Sequence, residues 1–296
     1  MITFWQDIIN GVMIGALYAL IALGFVLIYK ASRVINFAQG EVVMFGGFLA
    51  VVLTTLYGLA FPLAFLVTLA IAAVIGLVIE RGILRALIGK PLISIVMATI
   101  GLASVLRGLA PFLWSASTRT FPSSFVNTNK PVDFLGVPVA VISLWSFGFA
   151  AVFVLLFGLF FRFTRTGIAM QAVADDQQAA MSMGISVQRV FAWSWAIALL
   201  VAAVGGTILG NRQGVDIALA TIGFKVFPVV ILGGLDSIVG AIVAGIAIGI
   251  IENLAGTYVD PHVGGGFKDV APFVVMVIVL LVRPYGLFGS AEIDRV

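Results

Sequence analysis

"IINGVMIGALYALIALGFVLIY", residues 8–29, carries no charge and shows no alternation of apolar and polar positions. Its length is about the ~20 residues that a helix needs to cross hydrocarbon. A barrel strand would instead alternate over about ten residues. Val190–Gly210 is equally free of charge. The whole chain follows suit: 62% of residues are hydrophobic, 10% are charged, and mean hydropathy is +1.21. A soluble domain has about 25% charged residues, so this chain cannot cover a water-facing surface. The expected fold is all-α, a polytopic integral membrane helical bundle of about eight or nine membrane segments, with broken or short helices among them. Residues 1–296 are read as one transmembrane domain.

Spans are predicted near 8–29, 34–57, 59–79, 91–113, 138–161, 190–210, 223–235, 238–256 and 270–287. Glu41 enters the second of these early, and 223–235 is too short to cross upright. The amino terminus has Asp7 as its only charge before the first apolar run, so 8–29 reads as a retained span rather than a cleaved signal. With the amino terminus outside, Lys30, Arg33, Arg81, Arg85, Lys90, Arg162, Arg165, Arg189, Arg283 and Arg295 fall in the cytoplasm. Arg119, Lys130, Arg212 and Lys268 fall outside. Ten against four obeys the positive-inside rule and puts the carboxyl terminus inside. The same bias accounts for the net charge of +3 without nucleic acid as a partner.

Two hydrophilic segments interrupt the apolar pattern. The outer one, 114–137, contains "ASTRTFPSSFVNTNKPVDFLG" and reads as a loop, too small for a receptor domain. The inner one, 162–189, contains "AVADDQQAAMSMGI" at 172–185. Asp175 with Gln178 three residues on has the form of a helix N-cap and its partner, and Gly184 sits where a C′ glycine would end that helix. A helix of about two turns is marginal by itself and needs something to pack on. A plain connector has no need of caps. A lipid-surface helix should be basic, which Asp175 and Asp176 are not. The pattern fits best a docking helix that offers Met170, Val173, Met181 and Met183 to a groove on a soluble partner.

Several chemistries are missing from the sequence. "IGKP" at 88–91 lacks the earlier glycine and the Ser/Thr of a phosphate-binding loop. There is no cysteine, and one histidine, His262, makes neither a metal cluster nor a relay. No catalytic set is visible, so catalysis is not expected, nor a metal or other cofactor.

Polar residues at membrane depth are the remaining candidates, since each charge costs about 2.5–3.5 kcal/mol at a helix centre. "INFAQGE", 35–41, gathers Asn36, Gln39 and Glu41 around Gly40. "KVFPVVILGGLDSIVGA", 225–241, holds Pro228, Gly233, Gly234 and Asp236. Glycine- or proline-interrupted segments, one in each half, are what transporters with broken helices show along the solute path. The competing reading has Glu41 and Asp236 anchoring helices at the headgroups. Arg107 and Glu252 are buried charges with no partner assignable from sequence, and Lys225 is expected to snorkel to the outer face. The pairs Gly11/Gly15, Gly206/Gly210 and Gly245/Gly249 are spaced for close helix contact, within one subunit or between subunits.

"INFAQGE" at 35–41, "RTGIAMQAVADDQQAAMSMGI" at 165–185, "VILGGLDSIVGAIVAG" at 230–245 and "FKDVAPFVVMVIVLLVRPYGLFG" at 267–289 occur in this order and spacing. Together they resemble the permease subunits of branched-chain amino acid ABC transporters, of the LivH type. The resemblance runs from the first span to the last. It implies a bacterial inner-membrane importer in which two permease subunits, usually this type with a LivM-type homologue, bind two cytosolic ATPases and receive solute from a periplasmic binding protein. ATP would then be bound by the partners. It also implies that 162–189 is the coupling loop, with Gly167, Ala172, Asp175, Asp176, Ala179 and Gly184 matching the family's loop pattern. The family often has His where this chain has Gln39, so a proton switch is not available here. Related permeases carry urea, short amides or other small solutes. A different class of protein, an ion- or proton-coupled carrier using Glu41, Asp236 and Glu252, is the rival reading. A non-transporting scaffold explains neither the broken segments nor the loop.

Overall fold

The computed structural model describes residues 2–87, 90–122, 131–134 and 137–289. Lys130, Arg295, part of "IGKP" and the middle of the outer loop lie outside the described residues. The chain is an all-α membrane bundle whose elements run α1 (Ile2–Ser32), α2 (Gln39–Thr55), α3 (Phe61–Ile79), α4 (Leu92–Trp114), α5 (Val141–Phe163), α6 (Arg165–Asp175), α7 (Gln177–Ser182), α8 (Val187–Gln213), α9 (Ile222–Gly233), α10 (Ile238–Leu254), α11 (Asp260–Val263) and α12 (Phe267–Val282). Among the described residues, six helices are long and apolar enough to cross a bilayer, and the shorter apolar helices 39–55 and 217–233 accompany them. All nine predicted spans coincide with helices. The second is shorter than expected, because residues 33–38 leave the helical path and α2 begins only at Gln39.

Two compact units are formed. One contains Met1–Val26, Val126–Val154 and Phe224–Val296. Here α1 meets α10 along its glycines: a Cβ on Gly15 would lie 2.6 Å from the Gly245 carbonyl oxygen, and one on Gly11 2.6 Å from the Ile250 Cα. These small residues therefore serve packing within the subunit, where small side chains let backbones touch. A short hairpin, β1 (Pro131–Phe134) and β2 (Val137–Ala140), occupies residues expected to be loop and helix start. Val139 of β2 is buried against Met13, which supplies the apolar contact that an isolated two-stranded hairpin lacks.

The other unit contains Leu27–Phe125 and Leu155–Gly223. Its axis is α8, capped by the Ser186 hydroxyl at one end and stopped at the other by Gly214, whose φ is +85°. Helices α2 and α3 lie against it. Gly47 meets Gly206, and a Cβ on Gly76 would lie 2.8 Å from the Ala196 Cα. Past Ile79, α3 continues through a π turn (Glu80–Leu84) and a 3-10 turn (Arg85–Leu87). Such widened turns are often found at functional sites.

Candidate functional site

The first interrupted segment is built around a run of amides. After α1, the Arg33 amide donates to the Tyr29 carbonyl (2.7 Å) and Arg33 takes the left-handed φ of +55°. The chain then crosses α4, where the Thr99 hydroxyl receives the Phe37 amide (3.4 Å). Asn36 Oδ1 accepts the Ala38 amide (3.1 Å), while its Nδ2 donates to Gln39 Oε1 (3.1 Å). Asn36 and Gln39 are both buried. Gly40 matters for closeness rather than for weakening the helix, because a Cβ there would lie 3.0 Å from the Gly223 Cα.

Glu41 lies in the first turn of α2, where the helix dipole favours an anion. Its side chain is 6% exposed and takes a 2.6 Å ion pair from Arg107 Nη2 of α4, itself 46% exposed. This supplies the partner that neither residue shows in sequence. At the start of α2, Asn36 and Gln39 thus hydrogen-bond each other, Gly40 lies against Gly223, and Glu41 pairs separately with Arg107.

The second interrupted segment is a tight corner in the other unit. Helix α9 ends at Gly233, Gly234 takes φ +103°, and the Ser237 hydroxyl caps α10 by accepting the Gly240 amide (3.0 Å). The amides of Leu287 and Phe288 donate to the carbonyls of Leu232 (2.8 Å) and Gly233 (3.1 Å). Gly233 and Gly234 therefore admit backbone contact, and half-buried Asp236 sits in the turn between the helices.

In the same unit, Glu252, whose partner the sequence does not assign, joins a network with Lys225. Glu252 accepts from the Tyr18 hydroxyl (2.6 Å) and from Lys225 Nζ (2.5 Å), and Lys225 also reaches Asp269 (2.7 Å). Lys225 does not simply snorkel. Two carboxylates hold it, so that a buried charge is paired, as membrane burial requires.

The inner polar segment holds two helices. Thr164 starts α6 by accepting the Gly167 amide (3.0 Å), and Gly167 lies against the backbone of Phe160 and Phe161. Because α6 runs on to Asp175, the cap of the next helix falls one residue later than expected. Asp176, with extended φ of −153°, accepts the amides of Gln178 (2.8 Å) and Ala179 (2.9 Å) and so starts α7. Gly184, at φ +82°, ends it as expected. Its amide bonds to the Met181 carbonyl, and Ile185 bonds to Ala180 (3.0 Å), a Schellman ending.

Met170 and Val173 are buried in the bundle and are not available for docking. The exposed surface comprises Asp175, Asp176, Ala179, Met181 and Met183, the last 83% exposed, with Ala172 half-buried beside it. A cavity of about 100 Å³ lies beneath, walled by Val34, Glu80, Ile95, Gln177, Phe191 and Trp195. It places the first residue of α7 and the segment leading to Asn36 around one space. Glu80 in its wall is held by Arg85 through two hydrogen bonds (3.1 and 2.8 Å).

A bundle with many membrane-crossing helices, interrupted segments and an exposed capped helix is the architecture of a multi-pass membrane permease. The family described as "branched-chain amino acid transport system / permease component" matches residues 8–282, and the chain belongs to it. The chain is 31% identical to the high-affinity branched-chain amino acid transport system permease protein LivH of Escherichia coli (strain K12), over 99% of this chain and 98% of that protein. Its identity to BraD of Pseudomonas aeruginosa is 30%, with the same two shares. The fructose import permease protein FruF of Bifidobacterium longum is 27% identical over 90% of this chain and 74% of its own. Among solved structures, PsaBC from Streptococcus pneumoniae in complex with Fab shares the fold, with a TM-score of 0.54, 15% identity and coverage of 93% and 91%.

Proposed function

We propose that this chain is the LivH-type subunit of an importer that carries leucine, isoleucine or valine inward. A LivM-type subunit would complete the membrane path, two cytosolic ATPases would drive it, and a periplasmic binding protein would deliver the solute. The protein needs no cofactor of its own, since ATP is bound by the ATPases. Asn36, Gln39, Gly40 and Glu41 border the path or its gate, and the corner at Gly233, Gly234 and Asp236 is the second interrupted segment along it. The exposed face of 162–189, with Gly167, Ala172, Asp175, Asp176, Ala179 and Gly184 shaping it, receives the ATPases.

One observation carries the coupling. Gln177 of α7 and Val34, two residues before Asn36, wall the same cavity. Packed interiors transmit displacement rather than absorb it. Both α7 and α2 also pack on α8, so a push on α7 would reach the start of α2 through that helix, where the Glu41–Arg107 pair must stay satisfied as water enters and leaves.

The test is reconstitution of the four kinds of subunit in proteoliposomes. Wild-type protein is expected to import radiolabelled leucine and to show ATPase activity stimulated by loaded binding protein. Ala179→Glu puts a charge on the docking face without touching the path. It is expected to insert and assemble normally yet lose most of the stimulation. Full stimulation in this variant would reduce 162–189 to a connector.

Orientation follows from the charge count, with the amino terminus periplasmic and 114–137 outside. The chain lacks cysteine, so single cysteines report cleanly. Ser117 and Gln178 are both exposed. Ser117→Cys should react with an impermeant maleimide on intact cells, and Gln178→Cys only after the membrane is opened. The reverse order would put the docking face on the wrong side.

A further inference from the structure

The amide cluster at 36–39 does not balance its hydrogen bonds. Its acceptors are Asn36 Oδ1, taken by the Ala38 amide, and Gln39 Oε1, taken by Asn36 Nδ2. Gln39 Nε2 is buried and has no acceptor among the described residues. Flipping the Gln39 amide would set its NH2 against that of Asn36. Flipping both amides would strand the Ala38 amide instead. In the arrangement that satisfies Ala38 and Asn36, Gln39 Nε2 is the donor left over, and either flip replaces it with a contact of donor against donor. A buried donor without a partner is costly, and native proteins rarely keep one that has no use.

We propose that Gln39 Nε2 is a solute-contacting donor that hydrogen-bonds a carboxylate oxygen of the amino acid as it passes the start of α2. This rests on the reading of 36–41 as part of the path. A donor can recognise only an acceptor, and the carboxylate is the acceptor every zwitterionic amino acid carries, whatever its side chain. The contact therefore suits the amino acid backbone whatever the side chain. It is well suited to transit, since a single neutral donor holds an anion without trapping it. Asn36 is the positioning residue: its Nδ2 fixes Gln39 Oε1 and so fixes which end of the Gln39 amide is offered.

Two substitutions in the reconstituted complex separate chemistry from shape. Gln39→Met keeps the length and removes the donor. Gln39→His changes the shape and keeps an N–H donor in its neutral ring. Loss of the donor is expected to lower leucine uptake about ten- to a hundred-fold, the factor carried by a hydrogen bond to a charged group. Its thermal midpoint should fall only modestly, because the orphaned donor goes while buried Asn36 Nδ2 loses its acceptor. Gln39→His is expected to retain most of the uptake. Wild-type uptake by Gln39→Met overturns the proposal, and so does equal loss in both variants. If Gln39→Met lowers only the amount of folded complex and leaves uptake per assembled complex unchanged, the role is structural and the proposal is overturned. Failure of the wild-type complex to import leucine would instead overturn the assigned solute, and this contact with it.

Discussion

Gly206→Val is expected to leave no monodisperse folded protein after extraction. A Cβ at this position would lie 2.9 Å from the Gly47 nitrogen and from the Val43 carbonyl carbon, so the obstacle is backbone and has no flexible end to swing away. Ordinary overpacking costs about 1–3 kcal/mol because side chains move aside. Here α2 and α8 must separate along their length, and the loss should exceed that range. A stability of about 5–15 kcal/mol has little room for it. The measurement is size-exclusion chromatography with a thermal midpoint in mild detergent. Gly101→Ala of α4 is the control, because a Cβ there meets nothing within 4 Å. Replacing glycine by alanine inside a helix should then be neutral, or stabilising by about 0.5–1 kcal/mol. A normally folded Gly206→Val would mean that α2 and α8 do not touch at this seam.

Lys225→Met should destabilise the other unit by about 3–5 kcal/mol, the cost of leaving a buried carboxylate without its cation. Glu252 is 8% exposed and, among the described residues, keeps the Tyr18 hydroxyl as its hydrogen-bond donor once Lys225 is gone. Lys225 is 28% exposed at its side chain, which places the pair on the protected side of the range where solvent weakens such interactions. Glu252→Gln removes the charge and still accepts from Tyr18, so Lys225→Met with Glu252→Gln should recover much of the loss. A double-mutant cycle on thermal midpoints measures the coupling. If the double variant is as unstable as the sum of the single ones, the ion pair contributes nothing and the lysine acts through packing alone.

The spans were legible because the hydrocarbon core demands long apolar runs, and that demand is local in sequence. What joins the spans was not. Glu41 and Arg107 are 66 residues apart, and Lys225 and Glu252 are 27 apart. No pattern within a window connects them, so they read as stray charges until the helices were assembled. The glycine pairs announced close contact but could not name the helix they touch.

At the coupling loop, adjacent aspartates fit the same capping signature. The choice fell to Asp176 because Thr164 starts a preceding helix that absorbs Asp175. Burial of Met170 and Val173 has the same origin: a helix beginning that early lies on the bundle. The amides of 36–41 were visible as polar residues in an apolar setting. The donor left over among them depends on which oxygen faces which nitrogen, and only coordinates supply that.

At Gly46, Gly47, Gly76 and Gly206 the seams of α8 with α2 and α3 bring main chain to within reach of main chain, with no side chain between. Most helix interfaces accommodate sliding by letting side chains exchange rotamers across the contact, and main chain pressed on main chain has none to exchange. These three helices are therefore expected to move together, as a disulfide between α2 and α8 that leaves transport intact would check. Deformation is expected to fall instead at residues 33–38 and at the widened turn Glu80–Leu84, where the ladder of helical hydrogen bonds is already interrupted. The least regular places in the helices are thus where bending costs least, and the most intimate contacts are where it costs most.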